Sequence, residues 1–468
     1  MVGEEIQAIS PLGYPLIHTF KTNGSFFLLD TSTSSALEID NIAYQYLKNS
    51  NGNSSSPKQN NSINKFSQSE INSVKKEFNQ LKNQGLFQYP KAQKPEPTPE
   101  QITSYRPYHF VLIVTQKCNL RCGYCYETKT TNPNHKINMP LETAYKAIDF
   151  LLSQSNRKKC GLTFFGGEPL INFSLIKKVV RYAKRKAQEV GKTFYFNITT
   201  NGTLLPSETI RFITREKFNL LVSFDGPEKI NDHYRIFPNG KGSHQIILRN
   251  IKRLQAESDI HFSVRATLTR QCTSLMKLYH YFADEKIPKA YIQPVSSLQN
   301  HKTYPPFHLK KNDVHSLLKE YEKLAELILK KHKDKKAVVV NPFKDYLELI
   351  HESAVRHISC GVCRGMMAIG TDGLIYPCQR FVGMKNFTIG DFDQGIDVPK
   401  ILHIFQKFHE ARNSCKSCWA FNICAGGCMH DWAKEDGNFK KQDETRCTIT
   451  KKLIELSIYL YARIMEKN

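Results

Sequence analysis

The chain has 468 residues, 40% of them hydrophobic, which is enough for roughly two to four domains with proper cores. Lysine and arginine outnumber aspartate and glutamate by 66 to 43, a formal charge of +23 that favours acidic partners. No run of about 18 apolar residues is present to span a bilayer, and MVGEEIQAIS lacks a basic-then-apolar signal. The expected compartment is therefore the cytoplasm, where 13 cysteines point to metal or redox chemistry rather than disulfides. The basic residues are spread over helical patterns such as KKVVRYAKRK and LILKKHKDKK, which read as solvated faces, and no motif interleaves aromatic with basic residues. Neither nucleic acid nor membrane is an expected partner.

Near the N-terminus, FFLLD and ALEI are short β-prone runs on either side of the turn-rich TSTSS, and a helical pattern follows from Asp40, a suitable N-cap. Around residues 50–65 the sequence is low in complexity. A second helical stretch, SQSEINSVKKEFNQLKNQGLF, opens on Ser67 with Glu70 three positions later and closes on Gly85. Residues 1–92 thus form a small β-then-α module, and 93–108, from the Pro- and Lys-rich YPKAQKPEPTPE onward, a linker.

From 109 to 310 strand and helix patterns alternate. Strands are expected at HFVLIVTQ, GLTFFGG, FYFNITTNG, LLVSFDG, HFSVRATL and AYIQPV, with helices such as LETAYKAIDFLLSQ and HQIILRNIKRLQAE between them. Six βα units with apolar strands predict an α/β fold with a parallel sheet, open or rolled into a partial barrel. Chemistry in such sheets gathers at the carboxyl ends of the strands, and there the sequence places CNLRCGYC, GGEP, TTNG and SFDG in succession. A helical linker, 311–354, leads to a cysteine-rich region, 355–468, that closes on an amphipathic helix.

CNLRCGYC offers Cys118, Cys122 and Cys125 on one loop. Short spacings let a loop wrap several thiolates around one metal centre, and three sulfurs leave one iron of a [4Fe–4S] cube free to bind a substrate. A zinc site is the alternative, but it wants four ligands in CxxC pairs and no partner pair lies nearby. The CxxxCxxC spacing after a first barrel strand resembles the signature of radical SAM enzymes. The resemblance implies a partial (β/α)6 TIM-like barrel in which Cys118, Cys122 and Cys125 hold the catalytic cluster and S-adenosylmethionine (SAM) chelates the fourth iron. An electron then splits the SAM sulfonium, and a 5′-deoxyadenosyl radical abstracts hydrogen from an unactivated carbon. Gly166, Gly167 and Glu168 resemble the family's GGE motif, whose carboxylate receives the amino group of SAM. Tyr124 matches the position whose ring lies near the adenine, although an ordinary loop aromatic reads the same. Asn201, Ser223, Asp225 and Arg235 look like the family's sugar and carboxylate contacts, with Asp225 open to a capping role and Arg265 a further candidate.

The C-terminal cysteines are Cys360, Cys363, Cys378, Cys415, Cys418, Cys424, Cys428 and Cys447. Their spacing resembles the SPASM domain, the auxiliary-cluster module of peptide- and protein-modifying radical SAM enzymes, and eight thiolates suffice for two further [4Fe–4S] clusters. By that resemblance one cluster takes Cys360, Cys363, Cys378 and Cys428, and the other takes Cys415, Cys418, Cys424 and Cys447. Spacing alone also permits CKSCWAFNICAGGC to wrap one cube by itself. If Cys360 is not a ligand, an open iron remains. The N-terminal module resembles the winged-helix-like recognition element that binds the leader of ribosomally made precursor peptides, by strand addition at a sheet edge.

The sequence therefore predicts a cytoplasmic radical SAM peptide maturase. It would use SAM, three [4Fe–4S] clusters and an electron donor such as flavodoxin or ferredoxin to install thioether cross-links in a precursor peptide. Carbon–carbon or cyclophane cross-linking, sulfatase maturation to formylglycine, and an iron–sulfur electron carrier or sensor without turnover are the alternatives.

Overall fold

The computed structural model describes residues 17–50, 63–87, 106–127, 137–257, 260–296, 306–334, 337–441 and 443–466. YPKAQKPEPTPE and most of the low-complexity segment lie outside them. No helix among the described residues is long and apolar enough to cross a membrane.

The N-terminal module is a three-stranded antiparallel sheet of β1 (Ile17–Thr22), β2 (Ser25–Asp30) and β3 (Ala36–Ile39), followed by helices Asn41–Ser50 and Gln68–Asn83. Asp40 caps the first helix, its Oδ1 accepting from the Ala43 N–H at 2.7 Å. Ser67 and Glu70 form a reciprocal capping box on the second. β1 is the strand that the sequence reading did not include: IHTFKT lacks a contiguous apolar run, and its register comes from the turn at Asn23–Gly24.

Six parallel strands follow where the alternation predicts them: β4 (His109–Thr115), β5 (Lys159–Gly166), β6 (Thr193–Thr200), β7 (Asn219–Ser223), β8 (His261–Leu268) and β9 (Lys289–Pro294). The sheet then gains three short strands, β10 (Val339–Asn341) beside β9, and β11 (Met366–Ile369) with β12 (Ile375–Tyr376) beside β4, giving nine in the order β10-β9-β8-β7-β6-β5-β4-β11-β12. β11 joins parallel, Met366 opposite His109, so the cysteine-rich region is built onto the first strand of the sheet.

β4 is buried along nearly its whole length, whereas β6, β8 and β9 bury alternate residues. Phe262, Val264, Ala266 and Leu268 of β8 are buried in the main core, whereas Ser263, Arg265 and Thr267 on the other face are partly exposed. β9 repeats this with Ala290 and Ile292 against Tyr291 and Gln293, and β6 with Phe196 and Ile198 against Asn197 and Thr199. The second face is consequently polar. Near the amino ends of the strands it is tied together by His109, whose ring meets the Tyr195 hydroxyl at 2.8 Å and Thr163 Oγ1 at 2.7 Å, and by the Asn197–Thr163 bond at 3.2 Å.

The long closing helix Glu444–Met465 packs against helices Lys311–Lys331 and Phe343–His351 and against the N-terminal sheet. There Arg463 pairs with Glu38, Phe27 meets Tyr459 edge-on, and His18 sits 3.0 Å from Glu455. The His18 ring also stacks flat on Trp419, centroids 3.7 Å apart and 3° from parallel, so the module rests on the loop that carries Cys418 and Cys424.

Candidate functional site

The loop from Cys118 to Cys125 leaves the carboxyl end of β4 and is fixed on two sides. On one, Arg121 and Gly123 donate backbone bonds to the Ile236 and Tyr234 carbonyls at 2.7 and 3.1 Å. On the other, Gly167 and Glu168 donate theirs to the carbonyls of Thr115 and Lys117 at 3.0 and 2.8 Å. Only glycine fits there. Gly166 has φ +139, and a Cβ on it would stand 2.0 Å from the Thr115 carbonyl; one on Gly167 would stand 2.5 Å from the Lys117 carbonyl.

The structure brings Cys118, Cys122 and Cys125 into mutual electrostatic contact. Cys118 Sγ accepts from the Leu120 N–H at 3.4 Å and the Asn201 side-chain amide at 3.8 Å, donors suited to a thiolate. As a free thiol Cys125 is pushed up to about 12, chiefly by burial, so it keeps its proton at neutral pH unless a cation sits beside it.

Glu168 is fully buried. Its carboxyl accepts from the Leu170 N–H at 3.1 Å, Thr200 Oγ1 at 2.7 Å and the Asn201 N–H at 2.6 Å, leaving one of about four acceptor sites open. Burial raises its pKa to about 7 against those three bonds, so a cation arriving beside it is favoured. Asn201 joins this carboxyl to the cysteine loop, its amide also donating to Asn119 Oδ1 at 2.8 Å.

Tyr124, Asp225 and Arg235 form a second network. The Tyr124 hydroxyl donates to Asp225 Oδ2 and accepts from Arg235 Nη1 at 3.1 Å, while Asp225 Oδ1 accepts from the Thr267 N–H at 2.9 Å. Burial works against the charge on Arg235, but Tyr124, Cys122 and Asp225 together hold it well above its ordinary range. Its Nε is buried with no hydrogen-bond partner. Ser223 ends β7 on the polar face, opposite Arg265 of β8. An orphaned guanidinium N–H, a carboxyl with an open acceptor site and three neighbouring thiols fit a ligand that carries both carboxylate and ammonium beside a cluster.

The eight C-terminal cysteines fall into two separate groups. Cys360, Cys363, Cys378 and Cys428 interact with one another, and Cys415, Cys418, Cys424 and Cys447 do so in every pairing. Cys360 is exposed, while Cys363 and Cys378 are buried. Among the described residues no three His, Cys, Asp or Glu side chains converge tightly enough for one metal ion, whereas tetrahedral zinc at about 2.3 Å from each sulfur requires sulfurs about 3.8 Å apart. The turn Ala425–Gly426–Gly427, with φ of +52, +78 and +73, re-aims the chain between Cys424 and Cys428. Buried Arg412 holds the Ala425 carbonyl at 3.0 Å. Cys160 and Cys272 are buried in the core.

Sequence reasoning did not find the polar cluster between the first cysteine loop and the first C-terminal group. Arg380 donates to Cys428 Sγ at 3.2 Å and to Asp431 Oδ1 at 2.7 Å, and Asp431 also pairs with Arg446 at 3.1 Å. The Arg380 guanidinium lies over the ring of Tyr126, 5.4 Å from its centroid, and Tyr126 follows Cys125 directly. Next to it, Glu127 is raised to about 7 by burial, which the Tyr126 hydrogen bond and the Arg380 charge only partly oppose. The available signal was an arginine two places after Cys378 and an aspartate three after Cys428.

Comparison with known proteins bears on the family and the fold. A family model of the radical SAM superfamily matches residues 112–268. The chain is 27% identical over 368 residues to a cysteine-type anaerobic sulfatase-maturating enzyme of Clostridium novyi, covering 74% of this chain and 93% of that one. It is 22% identical over 461 residues to the radical SAM cyclopropyl synthase TigE of Paramaledivibacter caminithermalis, covering 93% and 92%. The fold is similar to native anSMEcpe with bound AdoMet and Cp18Cys peptide, at TM-score 0.67 and 22% identity over 77% of this chain and 99% of that one.

Proposed function

Because residues 112–268 are a radical SAM domain, we propose that this chain is a peptide-modifying radical SAM enzyme that installs thioether cross-links in a ribosomally made precursor peptide. The observation that carries the reading is the meeting, at the carboxyl ends of β4 to β7, of three thiols with the Glu168–Asn201 and Tyr124–Asp225–Arg235 networks. Cys118, Cys122 and Cys125 would hold a [4Fe–4S] cluster; reduced, it supplies the electron that cleaves SAM to methionine and a 5′-deoxyadenosyl radical. Glu168 would accept the SAM ammonium and Arg235 its carboxylate, and the two would fix the orientation of the bound SAM. Gly166, Gly167, Asn201 and Ser223 would shape the remaining cradle and Tyr124 would border the adenine.

Thioether closure removes three things from the peptide: a hydrogen atom from carbon, a proton from the cysteine thiol, and one electron. The hydrogen atom goes to the adenosyl carbon. The two C-terminal cysteine groups would hold auxiliary [4Fe–4S] clusters as the exit for the electron, Arg380 orienting Cys428 at the group nearer the first loop. Domains would run 1–92 for leader recognition, 93–108 linker, 109–310 partial barrel, 311–354 helical linker and 355–468 SPASM, in the cytoplasm with a flavodoxin or ferredoxin donor. The TigE match spans 93% of this chain against 74% for the sulfatase-maturating enzyme, so it supports a radical SAM enzyme of this chain's full extent.

Sulfatase maturation is the second reading, favoured by the match to 93% of the length of the Clostridium novyi enzyme. Anaerobically reconstituted protein with dithionite and SAM is expected to form 5′-deoxyadenosine; none formed leaves a carrier or sensor. With a Cys-containing precursor peptide, loss of two hydrogens with a thiol that can no longer be alkylated after reduction marks the thioether, the same loss with the thiol still alkylatable marks a carbon–carbon link, and loss of sulfur with gain of an aldehyde marks formylglycine.

A further inference from the structure

Arg265 lies in the middle of β8 with Ser223 of β7 and Tyr291 of β9 as its register partners, on the polar face. Its carbonyl accepts from the Phe224 N–H at 2.9 Å, and two residues on, Thr267 N–H holds Asp225. It is therefore one strand away from the network assigned above to SAM. Its Nε is buried with no hydrogen-bond partner, and among the described residues no carboxylate pairs with its guanidinium. Burial opposes its charge first of all and Arg380 repels it, while only the Tyr126 and Tyr291 side chains favour it. Arg380 has a carboxylate partner in Asp431, but Arg446 shares it. Two guanidiniums thus share Asp431, and Arg265 has no part in that pairing; Glu127 is a further acid near Arg380.

A buried guanidinium left without a counter-charge is costly, and the planar fork of arginine matches a carboxylate in two parallel bonds. We propose that Arg265 is the docking point for a carboxylate of the peptide substrate, from an Asp or Glu side chain or the C-terminus, held on the polar face next to the carbon presented for hydrogen abstraction. Resting on the peptide-maturase reading, it assigns that enzyme acidic core peptides. The same chemistry has a second source in the carboxylate of SAM, from which Arg265 is separated by the Tyr124–Asp225–Arg235 network.

The test uses reconstituted full-length protein saturated with SAM, and as probes N-acetyl-aspartate amide and N-acetyl-asparagine amide, with binding followed by saturation-transfer NMR. The expected result is tighter binding of the aspartate probe by roughly tenfold or more, lost in Arg265→Gln and partly kept in Arg265→Lys, with iron content and the cluster spectrum matched between variants. Equal binding of the two probes by the unaltered protein overturns the proposal. So does an aspartate preference that survives Arg265→Gln, or a loss of SAM affinity in that variant, which would assign the guanidinium to SAM. Absence of 5′-deoxyadenosine in the unaltered protein would count against the enzyme reading instead, whatever the probes do.

Discussion

Arg380 donates from one guanidinium nitrogen to both Cys428 Sγ and Asp431 Oδ1, at 3.2 and 2.7 Å, so a thiol of the first C-terminal group is tied to a side chain that also lies over Tyr126 beside Cys125. A cationic donor to a cluster-bound thiolate stabilises the more negative, reduced state. Arg380→Gln is expected to lower the midpoint potential of one auxiliary cluster by some tens of millivolts, since about 59 mV corresponds to 1.4 kcal/mol for one electron. An EPR-monitored redox titration reads this directly, and unchanged potentials would show that the contact is only structural.

Removing the first three thiols together separates the clusters. The triple variant Cys118→Ala, Cys122→Ala, Cys125→Ala should lose all SAM cleavage yet keep about eight irons per chain, held by the two C-terminal groups. Iron assay and 5′-deoxyadenosine analysis on the same preparation check it. Retained turnover sinks the assignment of that loop.

Glu168 gives a pH dependence with a definite sign. Its carboxyl is raised to about 7 by burial, so it is mostly neutral below that pH and gains the charge that attracts an ammonium as pH rises through it. SAM affinity should therefore increase between pH 6 and 7.5, by at most about tenfold per unit below 7, and level off above. Glu168→Gln should bind weakly and flatten the profile. A rise of the same steepness in that variant would transfer the titration to another group.

Gly167 tests the close approach of β5 to the cysteine loop. A Cβ there meets the backbone carbonyls of Lys117 and Gln116 at 2.5 and 2.7 Å, and a backbone cannot swing aside as a side chain can. Gly167→Ala is expected to cost about 1–3 kcal/mol and to reduce iron at the first site selectively, read by thermal melting and by iron content. Full iron loading with an unchanged melting temperature would mean that the loop yields freely.

The six sheet strands were legible because four are apolar runs ending in an abrupt polar motif and the last two carry buried residues at alternate positions, and the capping residues at Asp40 and Ser67 announce their helices locally. β1, β10, β11 and β12 were not, for they are short or carry mixed residues and gain their identity from pairing; Met366 finds His109 across more than 250 positions. The same distinction holds at the site. Cys118 to Cys125 and Gly166 to Glu168 are contiguous, whereas Arg380 and Asp431 meet across 51 residues, and no spacing rule says that Cys428 joins Cys378 rather than its near neighbour Cys424. Spacing reports what a loop can wrap, and tertiary folding decides what two loops share.

The stacking of His18 on Trp419 has a consequence for how the N-terminal module is studied. Trp419 follows Cys418, and the sheet above it also holds Glu455 and Arg463 of the closing helix through His18 and Glu38. The module thus roofs the loop between Cys418 and Cys424 as well as being a prospective dock for a leader. Cutting it away would bare that loop, and with a cluster there as proposed, loss of that cluster would imitate a failure of recognition. Single changes along β3 that spare Glu38 would keep the roof in place while altering the dock.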